Sequence, residues 1–424
     1  MSGLSGSAAR PVDSQRMRQA NLALVLGAVL DDRLVSQSSL VERTGLKKPT
    51  VSKLVEELHR FGWIRLEGEA QGTLGRPRQL WAPDPQRGLV VSAQISVDHM
   101  ATLVVDFAGD IRTQRSVTID LTGWSEDEAV EAVARMISGS LSDVEGAGGR
   151  DRPILGLALA VPGIVTERGE LRYAPGLGWA SPDIGAKLRQ ALAGALPASC
   201  PVLVENEANL ATLAELRLAS ADGVRNLVYI LGDRGVGAGV VLNGSLFRGA
   251  HRSGGEVGHV TIDLDGPRCP CGKRGCWAMY VGQEVLRRQA LEARQEGRSS
   301  QLWGRDRPVD TLTSSEVLAA AGRGDAVAVE GMARLRRYLA AGIGNLVSMY
   351  DPEVVVLGGF LRSAFADSLD VLRAEVDDWL MGGDVYHDLR VELAALGDDA
   401  ARRGGVNLVI STITAPARLT ALAG

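Results

Sequence analysis

Three of the four cysteines of this chain fall within eight residues, in Cys269-Pro270-Cys271-Gly272-Lys273-Arg274-Gly275-Cys276, and His259 stands ten residues ahead of the first of them. One imidazole nitrogen and three thiolates form a tetrahedral donor set for zinc, which binds sulfur at about 2.3 Å. Glycines at 272 and 275 permit the tight turns that gather three sulfurs on one ion. With all four positions filled by protein, the pattern predicts a structural zinc site and not a catalytic one. The fourth cysteine, Cys200, precedes Pro201 and a buried strand and reads as an inert core thiol.

A chain of 424 residues with 45% apolar and 23% charged side chains is long enough for two or three packed domains. No apolar run reaches the roughly eighteen residues of a membrane span, and the N-terminus lacks the apolar centre of a signal peptide, so a cytoplasmic location without membrane contact is expected. The formal net charge of -5 alone disfavours a nucleic-acid binder, but its distribution does not. Residues 1–82 hold twelve Lys/Arg and eight Asp/Glu, a net +4, against -9 on the rest of the chain. A basic head on an acidic body is the pattern of a DNA-binding module joined to a domain that does not touch DNA.

Residues 1–15 are expected to be disordered and residues 16–82 to form that module. Apolar residues recur at helical spacing over 16–30, a second helix is expected from Ser38 as N-cap to Thr44, and Gly45 turns the chain. A third helix begins near Lys47, with Pro49 in its first turn and Val51, Leu54, Val55 and Leu58 on one face. Lys47, Lys48, Thr50, Ser52, Lys53 and His59 occupy the other. Two helices joined by a Gly-containing turn, then short strands at 61–66 and 75–81 around a Gly-rich loop, read as a winged helix-turn-helix. Lys47, Lys48, Thr50, Ser52 and Lys53 are the candidates for contact with a double-stranded DNA operator, with Arg76 and Arg78 reaching from the wing to the backbone or minor groove. A small helical protein-interaction domain, its lysines merely solvated, is the alternative for this stretch. Residues 83–87, opening with Pro83-Asp84-Pro85, read as a stiff linker.

From residue 88 to 424 strands alternate with helices. Strands are expected at 88–96, 100–107, 154–161, 201–205, 226–231 and 237–242, with helices at 125–141 and 208–218. Two similar α/β lobes flanking a cleft are the architecture this pattern favours. Gly254-Gly255-Glu256-Val257-Gly258-His259, the Cys-x-Cys-Gly-x-x-Gly-Cys loop and the upstream Gly235-Val236-Gly237-Ala238-Gly239 together resemble the ROK family of repressors, open reading frames and sugar kinases. The resemblance implies an α/β, two-lobed, actin-like or hexokinase-like (ribonuclease H-like) ATPase fold behind the N-terminal winged helix-turn-helix domain. It also implies a zinc loop at 259–276, a sugar held in the cleft, and assembly as a homodimer or homotetramer.

In that family the Glu and His of Glu-x-Gly-His hold sugar hydroxyls, here Glu256 and His259, together with an Asn and Asp that read here as Asn206 and Glu207. Gly163, after Pro162, lines the opposite wall. A carboxylate and an amide suit vicinal hydroxyls, because one accepts and the other both donates and accepts. His259 is expected to place one nitrogen on zinc and the other on the sugar. Three departures stand out. The strand ending Ser96-Val97-Asp98-His99-Met100 lacks the glycines that let backbone approach phosphate. Glu207 replaces the catalytic Asp and is one methylene longer, which moves its carboxylate by about an ångström from a proton it must abstract. Ala278 stands where a sugar-binding Glu is usual.

No catalytic residue, and no kinase activity, is therefore expected. Val354 to Phe360, with Gly358-Gly359, reads as a buried strand ending in a turn, and residues 297–310 carry no assignable role. The reading is a repressor of carbohydrate-metabolism genes whose DNA affinity responds to a sugar or sugar-phosphate effector. Its rivals are an ATP-dependent sugar kinase with a DNA-binding head, and a DNA-binding regulator whose cleft no longer takes an effector.

Overall fold

A computed structural model describes residues 14–70, 78–146, 152–181, 183–303 and 311–419 of the protein. The N-terminal module comprises α1 (Ser14–Asp32), β1 (Val35–Ser36), α2 (Gln37–Thr44), α3 (Lys48–Arg60), β2 (Ile64–Ala70) and β3 (Arg78–Pro83). The three strands form a wing in the order β1-β3-β2. The cap of α2 is Ser36 and not Ser38: Ser36 Oγ accepts the Ser39 amide at 3.2 Å, and Ser39 Oγ accepts the Ser36 amide at 3.1 Å. Ser36 ends β1 and so already has the extended backbone a cap requires. A two-residue strand has no readable period, which is why β1 was not foreseen. Gly45 closes α2 at φ 68°. Val51, Leu54, Val55 and Leu58 of α3 are buried as expected, but His59 is not a free polar group. Its Nδ1 lies 3.0 Å from Ile64 O and its ring packs edge-on against Trp81 at 5.2 Å, pinning α3 to the wing.

The 83–87 stretch is one docked turn of 3-10 helix, Pro85–Arg87, capped by Asp84. The Arg87 guanidinium lies 4.1 Å from the centre of the Trp63 ring, and Trp63 meets Phe107 of the following lobe edge-on at 5.3 Å. The module shares one apolar core with that lobe, in which Trp63 and Phe107 are fully buried beside Val406, Val409 and Ile413. Burying each such side chain contributes about 1.5–3 kcal/mol, so the head is seated firmly on the body.

Lobe 1 runs through β4 (Leu89–Ile95), β5 (His99–Asp106), β6 (Ile111–Thr118), α4 (Glu126–Val144) and β7 (Ile154–Val161). A small flap follows, β8 (Ile164–Val165), β9 (Leu171–Ala174) and β10 (Trp179–Ser181), then α5 (Ile184–Ala191), β11 (Val202–Asn206) and α6 (Glu207–Ala219). Ser125 and Glu128 start α4 with a reciprocal cap. β6 is an exposed edge strand whose polar run Arg112-Thr113-Gln114-Arg115 offers no apolar alternation, and periodicity passed over it.

Lobe 2 contains β12 (Leu227–Gly232), β13 (Val236–Leu242), β14 (Ser245–Leu246), α7 (Ala278–Val281), α8 (Gln283–Gln295), α9 (Ser314–Gly322) and α10 (Ala326–Tyr350). It ends with β15 (Val354–Gly359), α11 (Phe360–Ala364), α12 (Leu369–Asp377) and β16 (Arg390–Leu393), then α13 (Ala400–Ile413) returns to lobe 1 and α14 (Pro416–Leu419) packs on α1 of the module. The sheets are β11-β7-β4-β5-β6 and β14-β13-β12-β15-β16. In each, three antiparallel strands are followed by two parallel ones added beside the first, so the lobes repeat one topology. Helix α6 packs on β12 and β13, while α13 packs on β4 and β7, and the two helices lie against each other between the sheets. A Cβ at Gly404 of α13 would overlap the Leu210 carbonyl of α6, so only glycine allows this approach.

Candidate metal centre and ligand cleft

His259 ends a single 3-10 turn, Val257–His259, and the three cysteines follow in a loop held by the bridges Thr261↔Cys276 and Arg268↔Arg274. One ligand atom from each of His259, Cys269, Cys271 and Cys276 lies within 4.8 Å of all the others. Cys269 Sγ is 3.6 Å from His259 Nδ1, and Cys271 Sγ is 3.6 Å from Cys276 Sγ. The edge of a tetrahedron with metal–sulfur bonds of about 2.3 Å is about 3.8 Å, so the four donors fit a metal ion of that geometry. Gly272 and Gly275 have φ of 92° and 60°, and a Cβ at Gly275 would strike the Asp263 carbonyl, which explains glycine at both turns. His259 Nδ1 is the nitrogen that faces Cys269, and Nε2 is the other nitrogen of the ring.

The cleft is built at the C-terminal ends of the parallel strands β7 and β11, where open α/β sheets place their ligands. Asn206 ends β11 and caps α6: its Oδ1 accepts the Asn209 amide at 3.0 Å, and its Nδ2 donates to Gly163 O at 2.8 Å. Gly163 has φ 101°, and a Cβ there would overlap the Tyr173 carbonyl of the flap. Asn206 and Gly163 are thus brought together, and Glu207 follows as the first residue of α6. Glu256 and His259 sit on the neighbouring turn, which rests on β13 so closely that a Cβ at Gly258 would overlap the Val236 carbonyl. Burial raises the Glu256 carboxyl above the usual range. Ala278 begins α7 just after the metal loop and is half-buried.

Glu207 turns toward the end of β4, where its Oε2 accepts from Gln94 Nε2 at 3.1 Å. Burial, and then the charge of Asp233, push its carboxyl up to about 7. Asp233, at the end of β12, is pushed up to about 6 by burial and then by Asp98, and its Oδ1 accepts the Phe360 amide at 3.2 Å. His99 stands among them, its Nδ1 2.8 Å from Asp98 Oδ1. Burial opposes its protonation, but the bond to Asp98 and the charges of Glu207, Asp98 and Asp233 carry its pKa upward. A cavity of about 260 Å³ adjoins this group, lined by Gln94, Asp98, His99, Asp233, Gly359 and Arg402 among others. Asp98 and His99 lie half-buried on the turn between β4 and β5 and form one charged cluster with Glu207 and Asp233.

A second cluster was missed in the sequence. Glu205 is 3% exposed; its Oε2 accepts from Arg248 Nη2 and Arg252 Nη2, both at 2.9 Å, and its Oε1 from Asn209 Nδ2 at 3.1 Å. Arg252 also donates through Nε to Val165 O at 2.8 Å. These bonds tie the loop leading to Glu256 onto the strand carrying Asn206. The available signal was a glutamate at the end of a buried strand, which needs cationic partners somewhere in the fold.

On the module, Lys47, Lys48 and Lys53 are exposed and Thr50 and Ser52 half-buried, all on the first two turns of α3, and Arg78 is exposed on β3. Arg76 lies outside the described residues, as do residues 1–13 and 304–310. Among the described residues no helix is long and apolar enough to cross a membrane. Cys200 is buried, and burial pushes its thiol up to about 11, in keeping with an unreactive core position.

The family model for the ROK family matches residues 90–412 of the chain. The chain is 27% identical over 398 residues to the xylose repressor of Caldicellulosiruptor bescii, covering 93% of this chain and 96% of that one. It is 30% identical over 325 residues to a glucokinase of Streptomyces coelicolor, covering 76% of this chain and 97% of that one. Among solved structures, a ROK family transcriptional regulator homologous to the E. coli MLC protein matches with a TM-score of 0.76 at 23% identity, covering 96% of this chain and 99% of that one. The last likeness is one of fold.

Proposed function

The chain belongs to the ROK family, and from that premise we propose that it is a DNA-binding repressor whose operator affinity is set by a sugar held between its lobes. One observation carries the reading: likeness to a xylose repressor extends over 93% of this chain, winged module included, whereas likeness to a glucokinase covers 76%. Lys47, Lys48, Thr50, Ser52 and Lys53 of α3 are the proposed DNA contacts, with Arg76 and Arg78 on the wing. Asn206, Glu207, Glu256, His259 and Gly163 are the proposed sugar site, and a homodimer or homotetramer is the proposed assembly, since paired modules read two half-sites. Residues 16–82 and 88–424 are the proposed domains.

Zinc is the ion proposed for His259, Cys269, Cys271 and Cys276; it supplies charge and fixed geometry, not a reactive position. Holding His259 by Nδ1 orients Nε2 as a donor to a sugar hydroxyl. Phosphoryl transfer is not proposed. Asp98 and Asp233 line the cavity beside Glu207, and carboxylates there disfavour the approach of a nucleotide's phosphates. Glu207 is one methylene longer than the aspartate it replaces and is tied to Gln94, so its carboxylate is poorly placed to abstract a proton from a sugar.

The test is to select operators from fragments of the source genome with the purified chain, and then to titrate D-xylose, D-glucose and N-acetylglucosamine 6-phosphate into the complex. The expected result is nanomolar operator binding, weakened or strengthened tenfold or more by one sugar, a change of about 1.4 kcal/mol. No selected operator, or sugar phosphorylation in an ATP-coupled assay at ordinary enzymatic rates, overturns the reading.

A further inference from the structure

We propose that α6 is a rod carrying the state of the cleft to the DNA-reading module, and that Arg217 and Asp31 are the positioning residues that make its far contact. This rests on the repressor reading above and names how that site is regulated. The near end of α6 is the cleft itself, since Asn206 caps the helix and Glu207 is its first residue. Thirteen residues at about 1.5 Å each carry the helix about 20 Å away. At the far end Arg217 Nη2 donates to Asp31 Oδ1 at 2.7 Å, and Arg217 Nη1 to Asn407 Oδ1 of α13 at 3.3 Å. Asp31, in the last turn of α1, uses its other oxygen to accept from Arg43 Nη2 of α2 at 2.9 Å, and Arg43 also pairs with Asp32. Helix α2 packs on α3.

The connection matters because its ends ride on different bodies. The module is seated on lobe 1, through Trp63 on Phe107 and through Arg33 with Asp110 at 3.4 Å. Helix α6 is seated on the sheet of lobe 2, where a Cβ at Gly239 of β13 would overlap the Thr212 side chain. Its other face packs on α13, which sits on the sheet of lobe 1, so a rotation of the lobes is taken up at one face of α6, and where the helix follows lobe 2 Arg217 moves relative to Asp31. The junction is not sealed by packing: a cavity of about 230 Å³ lies there, lined by Leu30, Asp31, Phe107, Arg217, Leu218 and Ile410 among others. Asp31 and Arg217 both line this cavity, and their bond crosses between α1 and α6. Its members are 41% and 46% exposed, so it adds little to static stability, and a load-transmitting role is the use such a pair can serve.

The experiment perturbs one end of the rod and reads the other in the full chain, with no ligand. Hydrogen–deuterium exchange over residues 29–43 is measured in the native protein, Glu207→Gln, Arg217→Ala and the double variant, and again with Arg217→Lys, with thermal melting as a check on folding. Glu207→Gln is expected to alter exchange over 29–43 by about threefold or more. Combined with Arg217→Ala the same change has an effect below about 1.5-fold, and with Arg217→Lys most of it returns. Equal responses in both backgrounds, or no response in the native one, overturn the rod. If no sugar in the panel raises the melting temperature, the effector reading falls, while this cycle of variants still decides the rod.

Discussion

Arg234 of lobe 2 grips Asp120 of lobe 1 with both arms of its guanidinium, Nη1 to Oδ1 at 3.1 Å and Nη2 to Oδ2 at 3.1 Å, and Nη1 reaches Thr122 Oγ1 at 2.8 Å. The pair clasps the lobes on the cleft side. Hydrogen bonds from the Thr122 side chain and amide, and then from Arg234, hold the Asp120 carboxyl down to about 2. A depressed carboxylate contributes stability above its unfolded value, near 4, and loses it as pH falls through about 2, so the clasp stays charged at any neutral pH.

Arg234→Ala is expected to lower the unfolding free energy by no more than about 1 kcal/mol, since Asp120 is more than half exposed. Amide exchange at 120–122 and 233–235 should nevertheless rise, because the contact joins two bodies. Unchanged exchange at both segments refutes the clasp.

Glu207 and Asp233 bear on stability with the opposite sign. Both hold protons in the folded chain at pH values where the unfolded chain has released them, so their contribution is full below the ordinary carboxylate range and is lost as pH rises through about 6 and about 7. Glu207→Gln removes the titrating group and should gain on the native protein between pH 5 and pH 8, by on the order of 1–3 kcal/mol. Melting curves at the two pH values check this, and a pH-independent difference between the proteins contradicts it.

Elemental analysis of the purified chain should find one zinc per molecule. Cys276→Ser opens the tetrahedron at a fully buried sulfur and is expected to lose the ion and roughly 5–10 °C of melting temperature. A metal-free native protein with an unaltered melting point ends the metal proposal.

On DNA, Lys48→Ala and Lys53→Ala should each weaken binding to all sequences alike and reduce the salt dependence by about 0.9 in log–log slope if each lysine meets one phosphate. Thr50→Ala should instead change which base pair is preferred. Operator affinity measured between 50 and 200 mM salt distinguishes these outcomes, and an unchanged slope for both lysines removes α3 from the phosphate backbone.

What the sequence determined by itself is what neighbouring residues decide together. The metal loop from 269 to 276, the apolar face of α3, the helix beginning at Ser125 and the glycine turns at 45, 272 and 275 depend on spacing over one or two turns of chain, and each was legible there. Resemblance added the cleft residues Asn206, Glu207 and Glu256 as a set. The tertiary structure alone decided the rest: that Ser36 and not Ser38 caps α2, that Asp98 and His99 join Glu207 and Asp233 in one charged cluster, that Glu205 takes Arg248 and Arg252, and that Arg217 meets Asp31 across 186 positions. Charged contacts of this kind have no period and little individual strength. Their partners are chosen by where the packed lobes leave them, and that placement is a sum over many weak contacts that no short stretch of sequence contains.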